Sequence, residues 1–532
     1  MIVEFNDPSV ILPRPDVVVL GAGAVGLVMS VKLARQGVKV LLCESGGRSA
    51  ETGSQALNDS VVIGRPHAGI SEGRARVLGG TTTLWGGQLI SFREIDFQPR
   101  SWLGLKGWPI NRDVLSPYYE EVAKMLGLPV LEDDDAAIWS ALKLRSPDFG
   151  PELEVILTRW LKEPNLARVF ARELAGNPNL TVALHATGTG FDSYSDHATI
   201  KSVTLCAPSG RSVDVEANHF VVACGTIEAN RLMLAAAQAR PDLPWANNKW
   251  VGCAFQDHLD IRVADVTLLD KKAFGNIFDN IFLNGYKYNP KVVLARSVQE
   301  EIGTTNIAGT FVFESSLSAH LANFKIFAKA LRNGAMPPNL RSMPSHFAAL
   351  MKIWLPLVTR YLKDNRALNP ADLGIGLRLH CEQRPLATSR IRLDSSRVDI
   401  NHMPLVVLDW RIDGSEIEAM AALCARIGGA LERNGLATLR VDPRILAKDT
   451  RILDEARDTN HHCGGLQMSR TEEEGVVDSD LKVHGVANLF IAGAAVYPSS
   501  SFANPTFTAM ALGLRLASKI TGTTAQSPEL AQ

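Results

Sequence analysis

Short apolar runs closed by glycine mark the N-terminal region. Asp16–Leu20 reads DVVVL, the continuous apolar run expected of a parallel strand buried on both faces, and it ends in a glycine-rich turn. From Ala24 to Gln36 the apolar residues recur at helical spacing, and Val38–Cys43 is a second apolar run closed by Glu44. The pattern predicts a β-α-β unit. Val182–Ala186 and Phe220–Ala223 read as further strands of the same layer, the latter leading through a turn at Gly225 into a helix that reaches Leu234. Asn488–Ile520 repeats the logic, with NLFIAG as a strand, a loop rich in Ser and Pro, and a helix from about Thr506.

Between these pieces the texture changes. Residues 96–160 are rich in Trp and Pro, and residues 261–450 mix strand-like runs such as SRIRLD and LVVLDW with helical ones. No internal repeat or low-complexity linker separates the two textures, which predicts interleaving rather than domains joined end to end. The expected fold is α/β. A doubly wound domain made of 1–95, 161–260 and 451–532 carries a second domain, made of 96–160 and 261–450, that contains a β-sheet and helices.

Composition narrows the function classes. With 532 residues, 46% hydrophobic and 21% charged, the chain has ample material for more than one core and no disorder signature. Its net charge of −1 gives no cationic surface for nucleic acid. The seven cysteines are scattered without a C-x-x-C pair, which favours a reducing compartment. The N-terminus carries acids and prolines where a secretory signal needs a basic start and an apolar run, and no uninterrupted apolar stretch of about 18 residues occurs. A soluble, cytoplasmic protein is expected.

Gly21, Gly23 and Gly26 form G-x-G-x-x-G between the first strand and its helix. The first glycine permits the tight turn, the second lets the backbone approach a pyrophosphate, and the third lets helix and strand pack closely. Glu44 ends the second strand, where a carboxylate can accept hydrogen bonds from ribose hydroxyls. This unit binds a dinucleotide and by itself does not distinguish FAD from NAD.

Six further motifs occur in order: RVLGGTTTLWGGQ (Arg76 to Gln88), GWPINRDVLSPYYEEV (Gly107 to Val122), FVVACGTIEANRLML (Phe220 to Leu234), VGCAFQDHLD (Val251 to Asp260), EQRPLATSRIRL (Glu382 to Leu393), and HHCGG with NLFIAGAAVYPSSSFANPTFTAMAL (His461 to Leu512). Together they span almost the whole chain and resemble the glucose-methanol-choline (GMC) oxidoreductases, in particular the branch of pyranose oxidases and fructose dehydrogenase large subunits. The resemblance implies FAD in a Rossmann-like domain, with substrate bound at the isoalloxazine under the second domain. It implies that Gly79, Gly80 and Thr81 form a loop beside the flavin, continued by Trp85 and Gly86. It also implies that Gly493 and Ala494 approach the pyrophosphate and ribityl chain. Asp257 and His258 match a family motif in which a structural role is at least as well founded as a catalytic one.

Oxidation of a carbinol by a flavin needs a base for the hydroxyl proton while the carbon delivers hydride. The family places a His at the head of an H-x-x-G motif and a second His or Asn before the last helix. The matching residues are His461 and Asn504. His462 is the rival base, but neighbouring side chains in extended chain point to opposite faces, so only one of the pair readily addresses the flavin. The contiguous His461, His462 and Cys463 lack the separated ligand spacing of a zinc site, and no metal is expected.

Two positions depart from the family pattern. Leu84 stands where the pyranose-oxidase-like branch often has a His that links to FAD, so non-covalent FAD is expected. Phe502 stands where many bacterial relatives have His, implying a more apolar wall near the substrate. The implied substrate is a small carbohydrate or glycoside, with oxygen or another electron acceptor reoxidising the flavin; another alcohol such as a sterol or polyol, or a lyase keeping FAD structurally, are the alternatives. Ser315–Lys363 contains no Asp or Glu but has Lys325, Lys329, Arg332, Arg341, Lys352, Arg360 and Lys363. Phe347, Leu350, Met351, Trp354, Leu355, Val358, Tyr361 and Leu362 recur there at helical spacing, in a helix that Pro356 would kink. Packing of this helix on its own domain or at a subunit interface is favoured over docking to a membrane or a protein partner.

Overall fold

The computed structural model describes residues 1–129, 135–332, 336 and 343–523. The apolar runs of the first domain form a six-stranded sheet in the order Ile2–Glu4, Leu180–Leu184, Val40–Glu44, Val17–Leu20, His219–Val222, Leu489–Ile491. Every pairing in it is parallel. Val17–Leu20 and Leu489–Ile491 are buried throughout, as continuous apolar runs require when helices cover both faces. The strand expected at Val182–Ala186 lies two residues earlier, because His185 takes a left-handed φ of 56° and breaks the extended run. Helices follow three of these strands: Ala24–Arg35, Thr226–Ala239 and Thr506–Thr521. The first and last pack against one another.

The second layer is an antiparallel sheet in the order Ala437–Val441, Leu259–Leu268, Gly374–Cys381, Ile307–Glu314, Tyr286–Leu294, Leu153–Trp160, Gln88–Leu89. Ile281–Leu283 pairs with Tyr286–Leu294 beside it. The helix Glu416–Arg433 covers this sheet with Met420, Leu423, Ile427 and Leu431, all buried. A five-stranded sheet joins the two layers, in the order Cys463–Gly465, Cys253–Gln256, Arg390–Val398, Pro404–Asp409, Ser60–Val62. It draws its strands from far-separated parts of the chain, so the segment at 461 is anchored directly to the segment at 257.

Residues 315–363 contribute two helices, Ser318–Arg332 and Met343–Asp364, which pack on each other. Arg341 and the side chains of Lys325, Lys329, Arg332 and Lys352 lie outside the described residues. The helix Met343–Asp364 does not bury its apolar face on its own domain: Phe347, Met351, Trp354, Leu355 and Leu362 are exposed in the single chain, and among the apolar series Leu350 is buried. Among the described residues no helix is long and apolar enough to cross a membrane.

Candidate active site

The C-terminal ends of Val17–Leu20, His219–Val222 and Leu489–Ile491 open together on a cavity of about 650 Å³. Gly21, Gly23, Glu44, Gly80, Thr81, Trp85, Gly86, Gly493, Ala494, His461 and Asn504 all line it. Two expected cofactor residues do not. Gly26 lies beneath the turn, where a Cβ would come within 1.9 Å of the Gly21 carbonyl oxygen, so its part is helix–strand packing. Gly79 supports the loop from behind, donating its N–H to Ala22 O at 3.0 Å.

The cavity fits a dinucleotide at its phosphate end. Gly21 has φ 105°, and a Cβ there would lie 2.6 Å from Cys224 Cα, so the turn requires glycine. A Cβ on Gly23 would meet nothing within 4 Å, which leaves its cavity side open for a ligand. Gly23 caps the helix Ala24–Arg35 without a side-chain partner, so first-turn amides remain for an anion. Ala24, Thr226 and Thr506, the first residues of three helices, all line the same cavity, and their dipoles add to a positive field. Glu44 is held by N–H groups of Ala22 (3.1 Å) and Gly46 (2.9 Å), and burial pushes its carboxyl above the ordinary range.

His461 and Asn504 meet at the other end. Asn504 Nδ2 donates to His461 Nε2 at 3.0 Å. Burial, followed by the neighbouring His258, lowers the His461 pKa to about 3, so the ring is neutral at pH 7. His462 lines the same cavity, but its ring turns towards Asp257 and His67. Its Nε2 lies 3.8 Å from Asp257 Oδ2 and its ring centre 5.2 Å from that of His67. Burial lowers its pKa to about 3 as well.

Asp257 and His258 act on His461 from behind. Burial opposes ionisation of Asp257, but the hydrogen bond from His67 Nε2 (3.1 Å) and the surrounding imidazoles hold its carboxyl well below the usual range. Its Oδ1 then accepts the backbone N–H of His461 (3.0 Å) and His258 (2.7 Å) and the hydroxyl of Thr459 (3.0 Å). His258 Nε2 faces Ser500 O at 3.4 Å, a partner that only accepts. The proton therefore sits on Nε2 and leaves His258 Nδ1 as an acceptor. His461 Nδ1 lies 3.0 Å from that acceptor and so carries its own proton, which leaves His461 Nε2 bare towards Asn504 and the cavity.

His380 Nε2 lies 2.8 Å from the same His258 Nδ1. The fold thus gathers His258, His380 and His461, and separately His67, Asp257 and His462, with ligand-type atoms within 4.8 Å of one another. Sequence spacing gave no hint of these groups. The spacings of 2.8 and 3.0 Å are hydrogen-bond contacts, shorter than the roughly 3.3 Å between nitrogens around a tetrahedral ion with Zn–N near 2.05 Å.

This cluster has a pH signature. His258, His380, His461 and His462 all have pKa values lowered in the fold, burial being the largest cause. Their stabilising contribution is present above the unfolded value near 6.5 and is lost as pH falls towards the folded values. Glu416, which burial raises to about 7, runs the opposite way, as do Glu44, Asp96, Asp260 and Asp279, also raised by burial, and His185, in which burial is outweighed by its carboxylate partners. Together they offset part of this uptake. The remaining imbalance favours unfolding by up to about 1.4 kcal/mol per pH unit for each unmatched proton. Melting followed by flavin or tryptophan fluorescence is expected to show Tm falling from pH 7 to pH 5; a flat or rising Tm contradicts the neutral cluster.

Phe502 is corrected: it is 1% exposed in the core and does not line the cavity, so it is no wall for substrate. Leu84 does line the cavity, beside Trp85. Sequence reasoning missed Trp160, whose buried Nε1 has no partner among the described residues and whose ring a Cβ on Gly86 would meet at 2.5 Å. Its position, at the end of a strand with no motif around it, carried no signal. His380 was missed for the same reason.

Residues 385–513 match the C-terminal family model of the GMC oxidoreductases. Paromamine 6'-oxidase of Streptomyces fradiae is 24% identical over 95% of this chain and 91% of its own length. The fructose dehydrogenase large subunit of Gluconobacter japonicus is 21% identical over 95% and 97%. C-glycoside 3-oxidase of Microbacterium trichothecenolyticum is 28% identical over 29% of this chain and 28% of its own. Among solved structures, an Aspergillus oryzae formate oxidase described for its FAD modification superposes with a TM-score of 0.57 at 16% identity, covering 97% and 99% of the two chains. Pyridoxine 4-oxidase gives 0.57 at 15% identity, over 96% and 100%.

Proposed function

We propose that the chain, similar to the GMC oxidoreductases along its length, acts with FAD on a CH–OH donor and oxidises a carbinol of a sugar or glycoside to a carbonyl. The observation that carries this reading is the meeting of His461 Nε2 and Asn504 Nδ2, 3.0 Å apart, in the same cavity as the glycine turn. The relatives named for oxidising paromamine, fructose and C-glycosides support the carbohydrate class.

The residues would divide the work as follows. Gly21, Gly23, Glu44, Gly493, Ala494 and the three helix N-termini hold the dinucleotide, and Gly80, Thr81, Trp85 and Gly86 line the path towards the base. FAD supplies a two-electron acceptor for the hydride leaving the carbinol carbon. His461 Nε2 takes the hydroxyl proton as the C=O bond forms, and the Asn504 amide donates to the same oxygen and orients the C–H bond. His258 fixes the His461 tautomer, and Asp257 fixes its backbone. The segments 1–95, 161–260 and 451–532 serve the cofactor, and 96–160 with 261–450 cover the substrate.

Anaerobic mixing with sugars, glycosides, polyols and sterols tests the reading, since a true substrate bleaches the flavin absorbance. Bleaching by sterols or polyols alone overturns the carbohydrate assignment. Binding without bleaching, together with cleavage of a substrate, would make the protein a lyase. The attachment of FAD is non-covalent on this reading, because the Leu84 side chain offers no nucleophilic atom. Acid precipitation is expected to release the yellow chromophore into the supernatant, and colour retained in the washed pellet refutes it.

A further inference from the structure

Taking His461 as the base, as proposed, we infer that His258 and His380 form a relay that carries the substrate proton from His461 out to the antiparallel sheet, behind the cavity rather than through it. Neither His258 nor His380 lines the cavity. His461 Nδ1 lies 3.0 Å from His258 Nδ1, and His380 Nε2 lies 2.8 Å from the same atom. The rings meet edge to face, with centres 5.0 Å apart for His258 and His461 and 4.7 Å apart for His258 and His380. A bare imidazole nitrogen has one lone pair, so His258 Nδ1 accepts one N–H at a time. Among the described residues this atom joins the base to His380 and to no third partner.

The proton count closes at each ring. Once His461 Nε2 holds the hydroxyl proton, its Nδ1–H passes to His258 Nδ1. His258 keeps its own proton on Nε2 against Ser500 O, so the extra one leaves by the nitrogen it entered and passes to His380 Nε2. With His461 on the one lone pair of His258, a proton on His380 Nε2 has no acceptor there; the resting proton of His380 sits on Nδ1 and is the one released. Each step breaks one N–H bond and forms another. No ring stores the charge. Burial holds His258 and His461 below the ordinary histidine pKa against the pull of Asp257, and burial, both neighbouring rings, Lys291 and Arg378 do the same to His380. An electron acceptor that also takes up a proton, such as oxygen, draws it from His461 Nε2, and the same steps run in reverse restore every tautomer.

His380 is the ring nearest the outside. It lies in Gly374–Cys381, in register with Asp260 and so on the same face of the sheet, and it is only partly buried. Asp260 accepts from Arg378 Nε at 2.7 Å, and Arg378 is exposed. Lys291 lies on that face too, donating to Thr310 Oγ1 at 3.1 Å. A proton delivered there meets solvent among charged side chains.

The FAD-loaded full-length protein is mixed anaerobically, in weak buffer with phenol red, with whichever sugar, glycoside, polyol or sterol bleaches its flavin in the anaerobic screen; bleaching by none of them defeats the reading of His461, and the relay with it. Wild type is expected to release its proton at the rate of bleaching. His380→Phe and His380→Ala are expected to slow release at least about tenfold relative to bleaching. Added imidazole, at matched buffering capacity, is expected to restore release in His380→Ala, a rescue that a purely structural role would not give. A wild type that keeps its proton after the flavin is bleached, variants whose release keeps pace with bleaching, or a lag that imidazole leaves unchanged overturns the proposal.

Discussion

Replacing His461 by alanine is expected to slow flavin reduction by about 10² to 10⁴ while FAD stays bound, since positioned proton transfer contributes that much to such reactions. Cofactor retention is expected because, on the proposed reading, the glycine turn, Glu44 and the helix N-termini would hold the dinucleotide without His461. Asn504→Ala should cost less, because it removes one neutral hydrogen bond to the substrate oxygen and keeps the base. His462→Ala is the control, as its imidazole turns towards Asp257 and His67 rather than Asn504. Rapid-mixing reduction of the three variants under anaerobic conditions decides the matter. If His461→Ala reduces its flavin at the wild-type rate and His462→Ala does not, the two neighbours have exchanged roles; if neither slows, the base lies elsewhere.

That these neighbouring rings turn to different partners was available from sequence, since opposite-facing side chains follow from extended backbone. What holds His461 in place was not. Asp257 and His258 stood out as a motif, but nothing in a run reading QDHLD tells that Oδ1 of the aspartate would collect backbone N–H groups from both His258 and His461. The contact with His461 joins residues 204 positions apart beside the five-stranded sheet, and pattern along the chain carries no information on that pairing. The glycine loop and its parallel strands were legible because burial on both faces leaves a continuous apolar run. Boundaries shifted where a left-handed residue intervened, as at His185. Phe502 was misread for a related reason: Ser501, at φ 57°, turns the chain and sends the ring into the core.

Arg100→Met is expected to destabilise the protein by about 3–5 kcal/mol, the cost of stranding a buried carboxylate. Arg100 and Glu382 are each 1% exposed, and the guanidinium grips both carboxylate oxygens, with Nη2 to Oε1 at 2.6 Å. Burial works against ionisation of Glu382, and Arg100 overcomes it, holding the carboxyl below its ordinary value. The same two oxygens accept the backbone N–H of Asn306 (3.0 Å) and Ser501 (3.1 Å), so this pair anchors the loop that carries Asn504 three residues later. Adding Glu382→Gln to Arg100→Met removes the stranded charge and keeps one acceptor oxygen for a backbone donor, so the double variant should recover part of the loss. Thermal and denaturant unfolding of the FAD-loaded single and double variants measures this. A single variant within about 1 kcal/mol of wild type, or a double variant less stable than Arg100→Met alone, would show that Glu382 does not depend on Arg100 for its charge.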